Sequence, residues 1–311
     1  MVMNAHADTS WSTDSATGAL ARYAPEAEAA LNELIALSPA RLGPLVGSVR
    51  ERCAVTLSLA PVPAPDLGVA TPASRSKGHR VALEFAEQFC VDVSSVGADM
   101  REALIGALGS RTGAFVTTLY VADWAPRLHR VLDELFGPDP SGWTGPARWN
   151  ESDDDPWPAV DAFLRSVGRL RALDSVTTEL VRLRQARQHN CRICKSLRSR
   201  SALSAGVGEG TFGEVDHYQD STLSERHKAA LTLTDAMIWQ PGYISDDVID
   251  DVRQHFSPVE AVELVLDLTR NASNKIAVAT GSDEAHVSEG VEIYDVKEDG
   301  TLDFGLSAPT G

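Results

Sequence analysis

Glu179-Leu180-Val181-Arg182-Leu183-Arg184, then Asn190-Cys191-Arg192-Ile193-Cys194-Lys195-Ser196-Leu197-Arg198, is the stretch on which the reading of this chain turns. Both pieces have helical character, and the second carries two cysteines three residues apart. Sulfurs at that spacing on the first turn of one helix lie close enough to bridge or to share a metal. Asn190 is a favourable N-cap, which makes Cys191 the first helical residue and Cys194 the fourth. There the helix dipole favours the thiolate, the nucleophilic form of cysteine. Arg198 falls one turn past Cys194 on the same face, and its permanent charge would lower the Cys194 pKa. The residues alone leave three readings open: a redox-active pair, inert apolar thiols, or a metal site. Zinc would need two further ligands, and no second cysteine pair supplies them, so no metal is expected.

Composition narrows the partners. The 311 residues allow one large or two medium domains, and the balance of aliphatic to aromatic side chains leans helical. A formal net charge of −16 argues against a nucleic-acid partner, because backbone phosphates are bound through clustered Lys and Arg. No run approaches the roughly 20 apolar residues of a membrane span. The polar, small N-terminal residues lack a basic start followed by an apolar stretch, so residues 1–22 are expected to be a disordered lead and the protein cytoplasmic. Four cysteines do not make a disulfide framework; in the cytoplasm a close pair reads as catalytic or metal-binding.

Outside the cysteine region, three-four spacing predicts helices over 25–36, about 42–57, from His79 onward (Val81, Ala82, Phe85, Ala86, Phe89), over 98–108 and over 113–136. Pro61, Pro63, Pro65 and Pro72 mark a loop. The Gly137-Pro138-Asp139-Pro140-Ser141-Gly142 run opens a linker over 138–155. Ala82-Leu83-x-x-Ala86-Glu87 is echoed by Ala230-Leu231-x-x-Thr234-Asp235, and the same offset carries Asp99-Met100 onto Asp247-Val248. This points to a duplicated chain, with helical units at 23–137 and 156–285. The tail, 286–311, alternates through Val291–Val296 and Thr301–Phe304 around Glu298-Asp299-Gly300, which predicts a β-hairpin.

Glu179-x11-Cys191-x2-Cys194, the Leu180–Arg184 run, Ala205-Gly206, and Leu223-Ser224-Glu225-Arg226 with Ala229-Ala230-Leu231 resemble the alkylhydroperoxidase-D-like and carboxymuconolactone-decarboxylase superfamily. The resemblance is strong over about 158–281 and degenerate in the first half. It implies an all-α fold of two tandem alkylhydroperoxidase-D-like helical units, here with the small C-terminal hairpin. In its peroxidase members a glutamate is followed by cysteine-x-histidine-cysteine and a histidine four residues on. Carried over, Cys194 attacks a hydroperoxide, Cys191 resolves it as a disulfide, and Glu179 handles the proton. Ile193 and Arg198 stand where the two histidines belong, which puts the proton relay in doubt. His189 is a substitute relay on one reading and a solvated helix-end histidine on the other. The catalytic set is therefore Cys194, Cys191, Glu179, Arg198 and His189, with no cofactor.

The implied partners are a small-molecule hydroperoxide and a lipoyl-bearing or thioredoxin-like reductant. The implied assembly is a homo-oligomer, a dimer or trimer, three tandem copies making a pseudo-hexamer. Two competing readings remain: a decarboxylase-like acid–base enzyme acting on lactones, and a non-catalytic assembly protein. The basic cluster Arg182, Arg184, Arg187, Arg192, Lys195, Arg198 and Arg200 reads either as solvated helix faces or as the lining of an anion pocket.

Overall fold

A computed structural model describes residue 11 and residues 14–66 and 76–309. Most of the expected lead before residue 14, and Pro72 of the proline loop, lie outside the described residues. The fold is all-α with a small C-terminal sheet. The first half builds α1 (Ala16–Tyr23), α2 (Pro25–Ala36), α3 (Leu45–Leu57), α4 (Lys77–Asp92), α5 (Ala98–Leu108) and α6 (Thr112–Phe136). The second builds α7 (Trp157–Gly168), α8 (Ser175–Gln188), α9 (Arg192–Ser196), strand β1 (Leu197–Ser199), α10 (Arg200–Ser204), α11 (Glu209–Gly213), α12 (Glu225–Trp239), α13 (Asp246–His255), α14 (Pro258–Asn271) and α15 (Asn274–Thr280). Strands β2 (Glu292–Val296) and β3 (Leu302–Leu306) close the chain.

Local chemistry sets the helix starts. Ser15, Ser76, Asp174 and Ser224 each accept a hydrogen bond from a backbone N–H of the first turn, and Ser257 with Glu260 forms a capping box. Ser15 also bears on the expected disorder over 1–22. From that cap onward the segment is α1, and Ala16, Ala19 and Leu20 are buried. Three small apolar side chains on one face supply the contact area that a purely polar lead would lack.

Helix pairings recur. In the first half α3 packs on α4 and on α6, and α4 on α5; in the second α8 packs on α12 and on α14, and α12 on α13. Helices α4 and α12 begin at Lys77 and Glu225, and α5 and α13 at Ala98 and Asp246, both 148 residues apart. One apolar cluster gathers Val46, Val49 and Cys53 of α3 with Phe85 and Phe89 of α4, and takes in Cys191. The other joins α1, α2, α7, α8, α12 and α14. Helix α6 serves both: Phe115, Val116 and Leu119 face the first cluster, and Tyr120, Trp124 and Leu128 the second.

The sheet holds a feature that periodicity missed. Strands β2 and β3 form the expected antiparallel hairpin, but β1 joins β2 in parallel, with Leu197 opposite Glu292 and Ser199 opposite Tyr294. The hairpin is seated on α7 through Gly300. Its φ is +81°, and a Cβ there would stand 2.1 Å from the Arg165 carbonyl oxygen, so only glycine fits this turn. Among the described residues no helix is long and apolar enough to cross a membrane.

Candidate functional site: the cysteine pair and its buried support

Helix α8 ends just before the cysteines. The Cys191 N–H returns to the Ala186 carbonyl, and Asn190 takes a left-handed φ of 53°. Asparagine is among the few side chains that adopt this conformation readily, so Asn190 stops α8 and does not cap α9 as the sequence suggested. The N-cap is Cys191, whose sulfur accepts the Cys194 N–H at 3.3 Å. Cys191 and Cys194 are disulfide-bonded, with Cα atoms 5.3 Å apart. The two cysteines differ in burial: Cys191 is fully buried and Cys194 half-buried.

The remaining N–H groups of this short helix are occupied. Arg192 N donates to Asp283 Oδ2 at 2.9 Å, and Ile193 N to the Asp283 carbonyl at 2.9 Å. The Arg192 guanidinium closes on the same carboxylate at 2.8 Å and holds it below the usual aspartate range, together with the backbone donors. The open anion cradle expected at this helix start is therefore filled by Asp283.

Glu179 is completely buried, and each of its oxygens accepts two hydrogen bonds. Oε1 receives Arg182 Nη2 (2.8 Å) and Ser199 N (3.0 Å); Oε2 receives Arg182 Nε (2.6 Å) and the Tyr294 hydroxyl (3.0 Å). Arg182 turns its other donors on the Cys194 carbonyl at 2.8 Å and the Leu197 carbonyl at 2.9 Å, and lies 5.3 Å from the Tyr294 ring centroid. The Cys194 carbonyl also accepts the Leu197 N–H, the last bond of α9, and from Leu197 onward the chain is extended and pairs with β2, so α9 stops at Ser196.

Two expected catalytic side chains fall elsewhere. Arg198 lies on β1, beyond the end of α9, so one-turn spacing no longer sets it beside Cys194. Its guanidinium pairs with Glu209 (2.6 and 2.8 Å), donates to the Lys195 and Leu197 carbonyls, and sits over the Phe212 ring. His189 is buried rather than solvated. Its Nδ1 meets Asn274 Oδ1 at 2.8 Å, and its ring packs edge-on to Trp124. Burial, with the nearby Lys275 charge, lowers its pKa to about 3, so it is a neutral imidazole at ordinary pH.

Lys275 belongs to a sealed ionic cluster with Asp123 and Arg127, all nearly inaccessible; the Asp123 carboxylate accepts from both cations. The basic cluster read from sequence is mostly consumed in pairs: Arg182 with Glu179, Arg184 with Asp235, Arg187 with Asp216, Arg192 with Asp283 and Arg198 with Glu209. Sequence reasoning passed over Asp283 and Tyr294. Tyr294 carried a signal, since it is the central residue of an alternating strand and such positions face inward on one side of a sheet.

No family model and no solved structure matches the chain. Two proteins of Mycobacterium tuberculosis do: Uncharacterized protein Rv2313c of strain ATCC 25618 / H37Rv and Uncharacterized protein MT2376 of strain CDC 1551 / Oshkosh. Each is 46% identical over 278 residues, which is 88% of this chain and 96% of the relative. The chain belongs to the family of these mycobacterial proteins. The match spans nearly the whole of each relative and is not confined to the cysteine segment.

Proposed function

We propose that this protein is a thiol-dependent oxidoreductase of the alkylhydroperoxidase-D-like kind, cycling the Cys191–Cys194 pair between dithiol and disulfide with a small hydroperoxide as oxidant. The observation that carries the reading is the asymmetry of the pair: a half-buried Cys194 bridged to a fully buried Cys191. A half-buried outer cysteine with a protected inner partner suits attack followed by resolution.

In the forward step the Cys194 thiolate attacks the terminal peroxide oxygen. The O–O bond breaks, and the alkoxide takes a proton from water and leaves as an alcohol. Cys194 is then a sulfenic acid. The Cys191 thiol attacks that sulfur, the S–S bond forms, and hydroxide leaves and is protonated to water. Two thiols and one hydroperoxide give one disulfide, one alcohol and one water. A lipoyl-bearing or thioredoxin-like dithiol of a reducing cytoplasm returns the pair by exchange.

Glu179 is a positioning residue in this scheme. Its four hydrogen bonds leave it to fix Arg182, which in turn fixes the Cys194 and Leu197 carbonyls. The proton for the leaving group comes from solvent, and turnover lacks the roughly 10²–10⁴-fold that a placed acid contributes.

The test is consumption of tert-butyl hydroperoxide by the pre-reduced protein, with thiols counted before and after. Loss of two thiols per peroxide, absent in Cys194→Ser, supports the proposal. Unchanged consumption in Cys194→Ser, or none in the wild type, overturns it and leaves the bridge as a staple between α8 and α9.

A further inference from the structure

Behind the cysteine segment lies a cavity of about 180 Å³, between the end of α7, the faces of α8 and α14, and the β2 strand that roofs it. It holds about six waters at roughly 30 Å³ each, smaller than a drug-sized site and right for a small polar molecule. Its floor is one stripe of α14: Glu263, Asp267, Arg270 and Asn271 stand at i, i+4, i+7 and i+8.

These four groups are under-partnered and line one cavity together. Glu263 and Asp267 are both about 95% buried, yet neither has a cation within ion-pair distance among the described residues. Glu263 Oε2 accepts from Ala172 N at 2.6 Å, the Leu173 N–H also bears on this carboxylate, and Asp267 Oδ2 accepts a long bond from the Thr178 hydroxyl at 3.3 Å. Among the described residues no side-chain cation donates to either carboxylate. Among the described residues Arg270 makes neither a side-chain hydrogen bond nor an ion pair, whereas Arg182, Arg184, Arg192 and Arg198 are each paired. Asn271 Nδ2 is buried with no acceptor. Buried carboxylates with no cation in contact, and a buried amide donor with no acceptor, are costly unless something else satisfies them.

We propose that this cavity binds a small zwitterion of the amino-acid class, its ammonium held by Glu263 and Asp267 and its carboxylate by Arg270 and Asn271. Each half of the ligand meets the groups that lack a partner. An ammonium supplies three donors to the two carboxylates. A carboxylate accepts from the guanidinium fork and the orphaned amide. An anion alone would leave the two acids unanswered, and an amine alone would leave Arg270 and Asn271 so. Asp267 and Arg270 are separated by about 4.5 Å of helical rise, so the two poles of the ligand need only be a few ångströms apart. The site shares Arg182 with the cysteine segment but involves neither sulfur, and it is independent of the redox proposal.

The test is calorimetric titration of the full-length protein at pH 8 with glycine, L-alanine, β-alanine and γ-aminobutyrate, beside propylamine and propionate as single-pole controls. At least one zwitterion is expected to saturate with one site per chain, and at least tenfold more tightly than either control. Glu263→Gln and Arg270→Met are each expected to weaken that binding at least tenfold with the far-ultraviolet circular dichroism unchanged. No saturable binding by any of the four zwitterions, or equal binding by a single-pole control, overturns the proposal on the wild-type protein alone. Unchanged affinity in a folded Glu263→Gln or Arg270→Met overturns it as well.

Discussion

The Tyr294 hydroxyl donates to Glu179 Oε2 at 3.0 Å across 115 residues of chain, tying the C-terminal hairpin to the helix that leads into the cysteine pair. Burial and the facing carboxylate push the Tyr294 phenol well above its ordinary range, so it stays a donor at all accessible pH. Tyr294→Phe removes one hydrogen bond to a buried ion and is expected to cost about 1.5–3 kcal/mol in urea unfolding. A change within error would show that this tie carries no stability.

Glu179 and Arg182 form the central ion pair of the site, both largely out of solvent. Glu179→Ala leaves a guanidinium stranded and is expected to destabilise by about 3–5 kcal/mol. Glu179→Ala combined with Arg182→Met is expected to recover part of that loss, because no uncompensated charge remains. A double variant less stable than the single one by the full cost of Arg182→Met would refute this coupling.

The thiols differ in exposure, and alkylation should rank them. After reduction, iodoacetamide is expected to label Cys194 first in the native protein. Buried Cys191, Cys53 and Cys90 should label only in denaturant, and burial also pushes the Cys90 thiol up. Mass spectrometry of timed digests checks the order, and native labelling of Cys53 before Cys194 contradicts it.

Gly300 should be intolerant of a side chain. Gly300→Ala forces a left-handed φ on alanine and sets its Cβ against the Arg165 carbonyl, so a loss of at least about 1 kcal/mol is expected. Proteolytic nicking near residue 290 should appear before the helical body is cut. Resistance equal to wild type would mean that the hairpin is held by other contacts.

Burial raises Glu263 to about 7 and Asp267 to about 6, with Asp267 adding to the Glu263 shift by like-charge repulsion. The folded state therefore binds more protons than the unfolded chain above the ordinary carboxylate pKa of about 4. Their contribution to stability is fully present below that value and is lost as pH rises through about 7. Glu263→Gln is expected to gain stability relative to wild type as pH rises from 4.5 to 7.5, then level off. A relative stability flat with pH would contradict the assignment. His129 and His189, both lowered to about 3 by burial, act oppositely, since their contribution is lost as pH falls from 6.5 towards 3. They cancel in the wild type–Glu263→Gln difference.

Much of the architecture was legible because the helices obey local rules. The segments 25–36 and 98–108 begin and end where periodicity places them, and the tail alternation yields the hairpin. The candidate site was legible at its sulfurs and at Glu179. Arg198 was misplaced because spacing arguments assume that the helix continues, and α9 gives way at Leu197 to a strand paired with β2, a partner remote in sequence. Asn190 fits an N-cap and a left-handed stop equally well, and the choice depends on how α8 ends. The α14 cavity did leave a mark. Glu263, Asp267 and Arg270 interrupt a helix otherwise apolar through Val262, Leu264, Val265, Leu266 and Leu268, and charge inside so greasy a run is where a buried polar stripe should be sought.

Helix α6 presents Phe115, Val116 and Leu119 to one apolar cluster and Tyr120, Trp124 and Leu128 to the other. The two halves are thus threaded on a single axle. Excising the sulfur-bearing half at residue 156 would strip it of that axle and bare the surfaces of α13, α14 and α15 that rest on it. Heat should accordingly melt this chain in one calorimetric step, with no temperature at which the cysteine-bearing half stands alone.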